Sequence, residues 1–353
     1  MPPLGGGGEA AARTAARSRP GSFGRSSLPR QTRRGALARY LAKRLLSLAP
    51  TLLGVSLLAF LFLRLIPGDA IAVRLGTSTV LSPEQLAEMR AYFGLDRPLH
   101  AQYLAWLGAL LRGDAGYSIR TGQPVVAEIA SRLPVTGELA LAAALVALLV
   151  GLPLGLASAL RPNTPLDLGA RCFGLVGLSL PNFWLGTLFV LLFARYLRWM
   201  PNTGGYVELA QDPAANLRFL VFPAVTLGVA MAAVVMRTTR SAMLDVLAAD
   251  YIRTARAKGL SGGAVVTRHA LKNSLIVVVT ILGIQVGYLL SGAVVVEEIF
   301  AVPGLGRMLL NAIHQRDYAL VQGAVLVVAL LFVTVNTLVD VLYGYLDPRV
   351  RYR

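Results

Sequence analysis

Residues able to do covalent or metal chemistry are few in this sequence, and they are scattered. The histidines are His100, His269 and His314, and their spacing is not that of a metal site. The single cysteine, Cys172, excludes an internal disulfide, and its place at the head of an apolar run predicts a buried side chain. Phosphate-binding loops, nucleophile elbows and zinc-protease motifs are absent from the sequence. The sequence therefore predicts a protein that is not an enzyme and has no metal or cofactor of its own.

Acidic residues in apolar surroundings are the next candidates for chemistry. Glu297 and Glu298 are adjacent, so on a helix they would point about 100° apart, and we interpret them as solvated acids at the edge of an apolar run. Asp340 follows the last apolar run and is interpreted as structural. Proton- or ion-coupled pumps usually need an ionisable group inside the membrane, and the apolar runs contain no charge. The energy source for any transport is therefore expected in another protein.

The amino-acid composition indicates the class of protein in which these residues lie. Of 353 residues, 55% are hydrophobic and only 15% are charged, which is too few charges for the surface of a soluble protein of this size. The formal net charge is nevertheless +16. Because the basic residues lie between long apolar runs, they indicate membrane-flanking segments rather than a nucleic-acid-binding surface. A multi-spanning membrane protein is predicted.

Six uncharged runs have the length needed to span a bilayer. Each contains 18 to 23 residues, enough for a hydrocarbon layer of about 30 Å at about 1.5 Å per helical residue. Helices satisfy their own backbone polar groups in lipid, so the fold class predicted is an all-α membrane protein with six transmembrane helices. The predicted spans are 45–63, 139–160, 172–194, 219–236, 274–296 and 320–339.

The distribution of Lys and Arg predicts the orientation. If the N-terminus is cytoplasmic, the inner segments carry 22 Lys and Arg against 5 acids, as the positive-inside rule requires. Both termini and the loop 237–273 are then cytoplasmic. Residues 1–36 are rich in Gly, Arg, Ser and Pro and are predicted to be a disordered cytoplasmic tail, followed by a transmembrane domain over 37–353.

The long segment after the first span, 64–138, is predicted to be external and to contain two helices. One begins after a capping serine at Ser82 and stops at Gly94. The other begins near Pro98, places Tyr103 and several leucines on one face, and ends at Gly113. These helices are either a lid packed on the membrane helices or a docking surface for an extracellular partner.

A break within the third span offers polar groups at membrane depth. Pro181 leaves a backbone carbonyl without its helical partner, and Asn182 adds an amide. With Ser179 and with Gln285 of the fifth span, these residues are candidates for a water-filled translocation path. The alternative is a kink packed in lipid.

The internal loop 237–273 is longer than a connection needs. Leu244, Leu247, Ala248 and Tyr251 have helical spacing, and the pattern predicts one helix that continues to a stop at Gly259, with a second beginning near Gly263 and entering the fifth span. Small residues beside basic ones suit a helix that enters a groove of another protein. The alternative is a basic loop on anionic headgroups, each Lys or Arg contributing about 1 kcal/mol.

This loop also carries a specific resemblance. Asp250 to Leu260, DYIRTARAKGL, followed by RHALKN at 268–273, resembles the cytoplasmic coupling loop of ABC-importer permeases. The wider family has Glu-Ala-Ala, three residues, Gly and later Ile-x-Leu-Pro, and the departures here resemble the dipeptide and oligopeptide branch. Further segments that agree with that branch are LIPGD at 65–69, GLDRPL at 94–99, GDAGYS at 113–118, EEIF at 297–300, PGLG at 303–306 and DPR at 347–349.

The resemblance covers about residues 38–353 and implies a function. It implies one of two permease subunits of an ATP-driven importer, with a second homologous permease, two cytoplasmic ATPase subunits that bind ATP and Mg, and an extracytoplasmic solute-binding protein, in a bacterial plasma membrane. The ATPase-coupling residues it implies are Asp250, Tyr251, Arg253, Thr254, Ala255, Arg256, Ala257, Lys258 and Gly259. Di- or oligopeptides are the implied cargo. Nickel chelates, glutathione or oligosaccharides are alternatives within the family, and a stand-alone secondary carrier is an alternative outside it.

Overall fold

The computed structural model describes residues 46, 48–61, 64, 84, 96–197 and 205–346. The predicted tail at 1–36, the predicted helix from Ser82 to Gly94 apart from Glu84, and the segment 347–349 lie outside the described residues. No strand occurs in the described ranges, and most of their residues are helical, which confirms the helical fold class.

The described ranges contain eleven α-helices of at least six residues, in three groups along the chain. The first group is α1 (Leu48–Leu61) and α2 (Leu99–Leu111). The second is α3 (Val125–Leu160), α4 (Pro165–Ser179), α5 (Asn182–Leu192), continued by a π-helical turn at Phe193–Leu197, and α6 (Pro213–Leu247). The third is α7 (Asp250–Ala257), α8 (Lys272–Gly292), α9 (Val294–Ile299), α10 (Leu305–His314) and α11 (Tyr318–Leu346).

Helices α3 and α6 form the most extensive helix pair and the centre of the bundle. Small residues allow this close approach: a Cβ atom on Gly151 would lie 2.5 Å from the carbonyl oxygen of Ala232, and one on Gly155 would lie 2.6 Å from that of Met236. The contact is reciprocal, because a Cβ on Gly228 of α6 would lie 2.7 Å from the Cβ of Val146. Gly151 and Gly155 have the Gly-x-x-x-Gly spacing that permits helices to approach this closely.

Gly155→Ala is expected to destabilise the protein because the new methyl would meet backbone that cannot rotate away. Overpacking of this kind costs about 1–3 kcal/mol. Gly137→Ala in the same helix is the matched control, since nothing lies within 4 Å of a Cβ there. The thermal unfolding midpoint of the purified chain is the measurement. Equal midpoints for the two variants would contradict the packing argument.

The third predicted span, 172–194, is not one straight helix. Helices α4 and α5 meet at an angle of 99°, with Leu180 and Pro181 between them. Leu180 is extended (φ −83°, ψ 122°), as expected for a residue before proline, and Pro181 has no N–H for a helical bond. The break predicted at Pro181 is therefore confirmed, and the span is a bent pair of helices. Cys172 is exposed in α4, so the prediction that it is buried is wrong.

The helices that contain the second, fourth and sixth apolar runs are longer than those runs. The second begins at Val125 instead of 139, and the fourth runs over Pro213–Leu247 instead of 219–236. The fifth is already helical from Gly262, and a turn at Ala293 separates α8 from α9, so 274–296 is not continuous. Within the described residues, four helices are long and apolar enough to cross a membrane, or five if the bent pair counts as one span. Only 48–61 of the first predicted span are described as a continuous helix, so that span stays a prediction.

The second predicted external helix is confirmed as α2, with Pro98 and Arg112 as its flanking residues. It packs on α1: Phe60 is buried, with ring centroids 5.4 Å from Tyr103 and 5.9 Å from Trp106. The hydroxyls of Ser56 and Tyr103 are hydrogen-bonded at 2.8 Å. One face of α2 therefore covers the first helix, while Leu104 and Leu111 on its other side stay exposed.

Candidate functional site

The predicted coupling segment is a separate short helix, α7. The helix does not continue from Leu244 to Gly259 as predicted, because α6 ends at Leu247 and Ala249 is extended (ψ 147°) before α7 starts at Asp250. The predicted stop at Gly259 is confirmed: its φ of +80° lies in the left-handed region that favours glycine. Ser261 then caps the next helical turn, accepting a bond from the Ala264 N–H.

The inward face of α7 packs on other residues of the loop 237–273. Ile252 is fully buried and Ala255 is 8% exposed, and both lie in a cluster with Val265, which is 1% exposed. The Asn273 amide also donates a hydrogen bond of 3.2 Å to the Tyr251 hydroxyl, which ties α7 to the start of α8. Because Ala255 is covered by the chain itself, its side chain is not on the surface that a partner would meet.

The outward face of α7 carries the remaining predicted coupling residues. Asp250 and Arg253 form an exposed ion pair at 3.3 Å, which leaves the face with a basic excess. The Thr254 hydroxyl is used within the helix, since it donates to the carbonyl oxygen of Asp250 at 3.1 Å. The side chains exposed here are those of Asp250, Tyr251, Arg253, Thr254, Arg256, Ala257 and Lys258. Such a face can lie in a groove of another protein or on anionic headgroups, and its geometry fits both.

The predicted path residues are only partly brought together. Ser179 and Pro181 are exposed and Asn182 is half-buried at the bend between α4 and α5. Gln285 lies half-buried on α8, and among the described residues no hydrogen bond joins it to these three. Nearby, Gly186 of α5 lies close to Phe300: a Cβ atom on the glycine would be 3.1 Å from the phenylalanine ring. The start of α5 is thus packed against α9, while Ser179 and Pro181 at the bend stay exposed.

A buried ion pair that was not predicted from the sequence ties three helices together beside the loop 237–273. Asp167 is fully buried and accepts bonds from Arg240 Nε (2.8 Å) and Nη2 (3.1 Å). The Ser158 hydroxyl donates a third bond at 2.5 Å, and the Asn163 N–H donates a fourth at 3.0 Å. The only local signal was the capping pattern, in which the Thr164 hydroxyl accepts from the Asp167 N–H.

Glu297 is also a buried acid, so its interpretation as a solvated residue is wrong. It accepts 2.8 Å bonds from the Thr136 hydroxyl and the Arg307 N–H, which joins α3, α9 and α10. Gly304 makes room for the carboxylate, since a Cβ there would lie 2.3 Å from Glu297 Cδ. Burial raises the pKa of the Glu297 carboxyl, and the hydrogen bonds from Arg307, Thr136 and Gly306 oppose that rise.

Comparison with known proteins gives consistent matches over most of the chain. Residues 151–352 match the family described as binding-protein-dependent transport system inner membrane component, and residues 37–140 match its N-terminal family. The di/tripeptide transport system permease protein DppB of Pseudomonas aeruginosa is 44% identical over 333 residues, covering 89% of this chain and 99% of that protein.

Two further relatives have the same kind of name. The dipeptide transport system permease protein DppB of Escherichia coli (strain K12) is 38% identical over 339 residues, covering 90% of this chain and 100% of that protein. The protein of the same name from Alkalihalophilus pseudofirmus is 39% identical over 334 residues, covering 89% of this chain and 99% of that protein.

Proposed function

Because this chain belongs to the family of binding-protein-dependent transport system inner membrane components, we propose that it is a permease subunit of an ATP-driven importer of di- and oligopeptides. The observation that carries this proposal is the 38–44% identity to dipeptide and di/tripeptide permeases over nearly their full lengths. A second homologous permease, two ATPase subunits that bind ATP and Mg, and a solute-binding protein complete the proposed complex.

The proposed topology has six spans in a bacterial plasma membrane, with both termini cytoplasmic. This topology is supported because segments that the Lys and Arg distribution assigns to the same side of the membrane lie together in the fold. Arg240 meets Asp167 between two segments assigned to the cytoplasm. Arg132 meets Pro303 and Thr136 meets Glu297 between segments assigned to the outside.

Energy transmission is proposed to occur through α7. The helix is fixed to the chain by Ile252, Ala255 and the Tyr251–Asn273 bond, while its other face is exposed. A rigid element with one face free can carry a movement of an ATPase subunit to α6 and α8. ATP binding by the partner subunits would thereby bias the permease between two states of access.

Reconstitution tests the proposed function directly. Proteoliposomes containing this chain, its partner permease and the ATPase subunits, with the binding protein supplied, are expected to accumulate labelled dipeptide only when ATP and Mg are available to the ATPases. Liposomes containing this chain alone are expected to accumulate none. Dipeptide uptake by the lone chain, driven by a proton or sodium gradient, would instead establish a secondary carrier. Uptake of nickel chelates, glutathione or oligosaccharides in place of peptides would reject peptide cargo.

Cysteine labelling tests the proposed orientation. In a Cys172→Ala background, Gln123→Cys in the external segment is expected to react with an impermeant maleimide added to intact cells. Ser261→Cys in the cytoplasmic loop is expected to react only after permeabilisation, and both positions are exposed to solvent in the fold. Ser118, in the same external segment, is not a suitable labelling position because its side chain is buried against Asp317. The reverse labelling pattern would overturn the orientation.

A further inference from the structure

A cavity of about 270 Å³ lies at the end of α3 farthest from α7. Its walls come from the segment before α3, the first turns of α3, and α10 with the start of α11. Three guanidinium groups line it, those of Arg120, Arg132 and Arg307. The coupling residues lie near the other end of α3, whose 36 residues span about 54 Å. The cavity is therefore distinct from the coupling surface.

Two of these arginines have no acidic partner in the part of the chain that the structure describes. Among the described residues, neither Arg120 nor Arg132 forms a salt bridge; Arg120 Nε donates to the side-chain oxygen of Gln315 at 3.2 Å, and Arg132 Nη1 has only a long contact of 3.4 Å to the Pro303 carbonyl oxygen. Arg307 is already paired with Glu298, at 3.3 Å. Because a guanidinium has five N–H donors in a fork that fits a carboxylate, Arg120 and Arg132 keep most of their donor capacity.

The acids in the cavity wall are already hydrogen-bonded. Asp317 is buried and accepts from the Ser118 hydroxyl at 2.5 Å and from the Leu320 N–H at 3.3 Å. Glu128 accepts from the Thr121 hydroxyl. Each lining carboxylate is therefore engaged by donors close to it, whereas Arg120 and Arg132 keep unused N–H donors. The donor capacity left over in the cavity lining includes that of these two guanidiniums, and a carboxylate is the kind of anion that guanidiniums bind best.

We infer that this arginine-lined cavity is a subsite for the terminal carboxylate of the peptide cargo on the external side of the permease. The inference rests on the proposed function, which supplies both a peptide cargo and the external location. The volume of about 270 Å³ is just below the usual range of about 300–1,000 Å³ for small-molecule pockets, so it fits one end of a peptide rather than a long chain. Arg120 and Arg132 would bind the carboxylate, leaving the peptide's amino end toward the opening.

Protection of a cavity cysteine tests the inference without depending on transport. Asn311 lines the cavity and is exposed, so Asn311→Cys in a Cys172→Ala background reports on its occupancy. The full complex in right-side-out vesicles is labelled with an impermeant maleimide. Alanyl-alanine at millimolar concentration is expected to slow labelling several-fold, and its C-terminal amide, which lacks the carboxylate, is expected to have no effect.

Variants connect the protection to the two arginines. Arg132→Gln and Arg120→Gln are each expected to raise the half-protecting dipeptide concentration by about tenfold or more, since each removes charge-assisted hydrogen bonds. Arg112→Gln, which removes an arginine outside the cavity, is the matched control and is expected to leave protection unchanged. An unaltered labelling rate without peptide shows that the cavity in each variant is intact.

Several results would overturn the subsite. Absence of protection by the dipeptide would do so, as would equal protection by its amide or full protection in both arginine variants. Protection by the peptide-free binding protein alone would instead make the cavity a docking surface. ATP-dependent dipeptide uptake by the same vesicles separates the two proposals. Uptake without protection rejects the subsite alone, whereas absence of uptake rejects the proposed function.

Discussion

Replacing Ala257 by Trp is expected to reduce co-purification of the ATPase subunits by about tenfold and to lower peptide uptake in parallel. Ala257 is exposed on the outward face of α7, so a bulky side chain there would hold a partner away without disturbing the permease. Forcing extra volume into a packed contact costs about 1–3 kcal/mol, and about 1.4 kcal/mol corresponds to a factor of ten in association. Co-purification and uptake at equal membrane expression are the measurements.

Ala257 is a better test position than Ala255, although the sequence proposed both. Ala255 packs against Ile252 and Val265, so a large residue there would disturb the chain's own loop whether or not an ATPase docks. Ser241→Trp, at an exposed position on α6, controls for bulk alone. Lys258→Gln tests the headgroup alternative, in which loss of one charge matters by about 1 kcal/mol. Normal ATPase association for Ala257→Trp, with weakened membrane contact for Lys258→Gln, would favour that alternative over docking.

Asp167→Asn is expected to cause a large loss of stability. The Asp167 carboxylate is fully buried and receives two bonds from Arg240, so the substitution leaves the guanidinium, whose side chain is only 23% exposed, without its counter-charge. Removing one partner of a buried ion pair typically costs about 3–5 kcal/mol. The thermal unfolding midpoint of the purified full-length chain and its accumulation in the membrane should both fall.

Two further variants make the ion-pair prediction specific. Asp245→Asn removes an exposed acid from α6 and is expected to change the midpoint little. Asp167→Asn combined with Arg240→Gln is expected to be less destabilising than the sum of the two single changes, because the charge that remains, on Arg171, is about half exposed to solvent. If Asp167→Asn lowers the midpoint no more than Asp245→Asn does, the ion pair does not hold α3, α4 and α6 together.

Properties that depend on local composition could be predicted from the sequence. Helical class, membrane association and the presence of α2 follow from hydropathy and from residues such as Pro98, since the transfer of a run of side chains into lipid depends little on distant parts of the chain. The stop at Gly259 is equally local, because it depends on one residue's freedom to adopt a positive φ. The motifs around α7 indicated the family for the same reason.

The partners of the buried acids were decided only by the tertiary structure. Asp167 and Arg240 are 73 residues apart in the chain, and Glu297 and Thr136 are 161 apart, so no local pattern links them. A proline marked the break at Pro181, but the 99° angle depends on what α4 and α5 pack against. Ala255 and Ala257 have the same side chain two positions apart, and only the packing of Ile252 and Val265 places one inside and the other outside. Burial is set by neighbours distant in sequence, which is why these features required the folded chain.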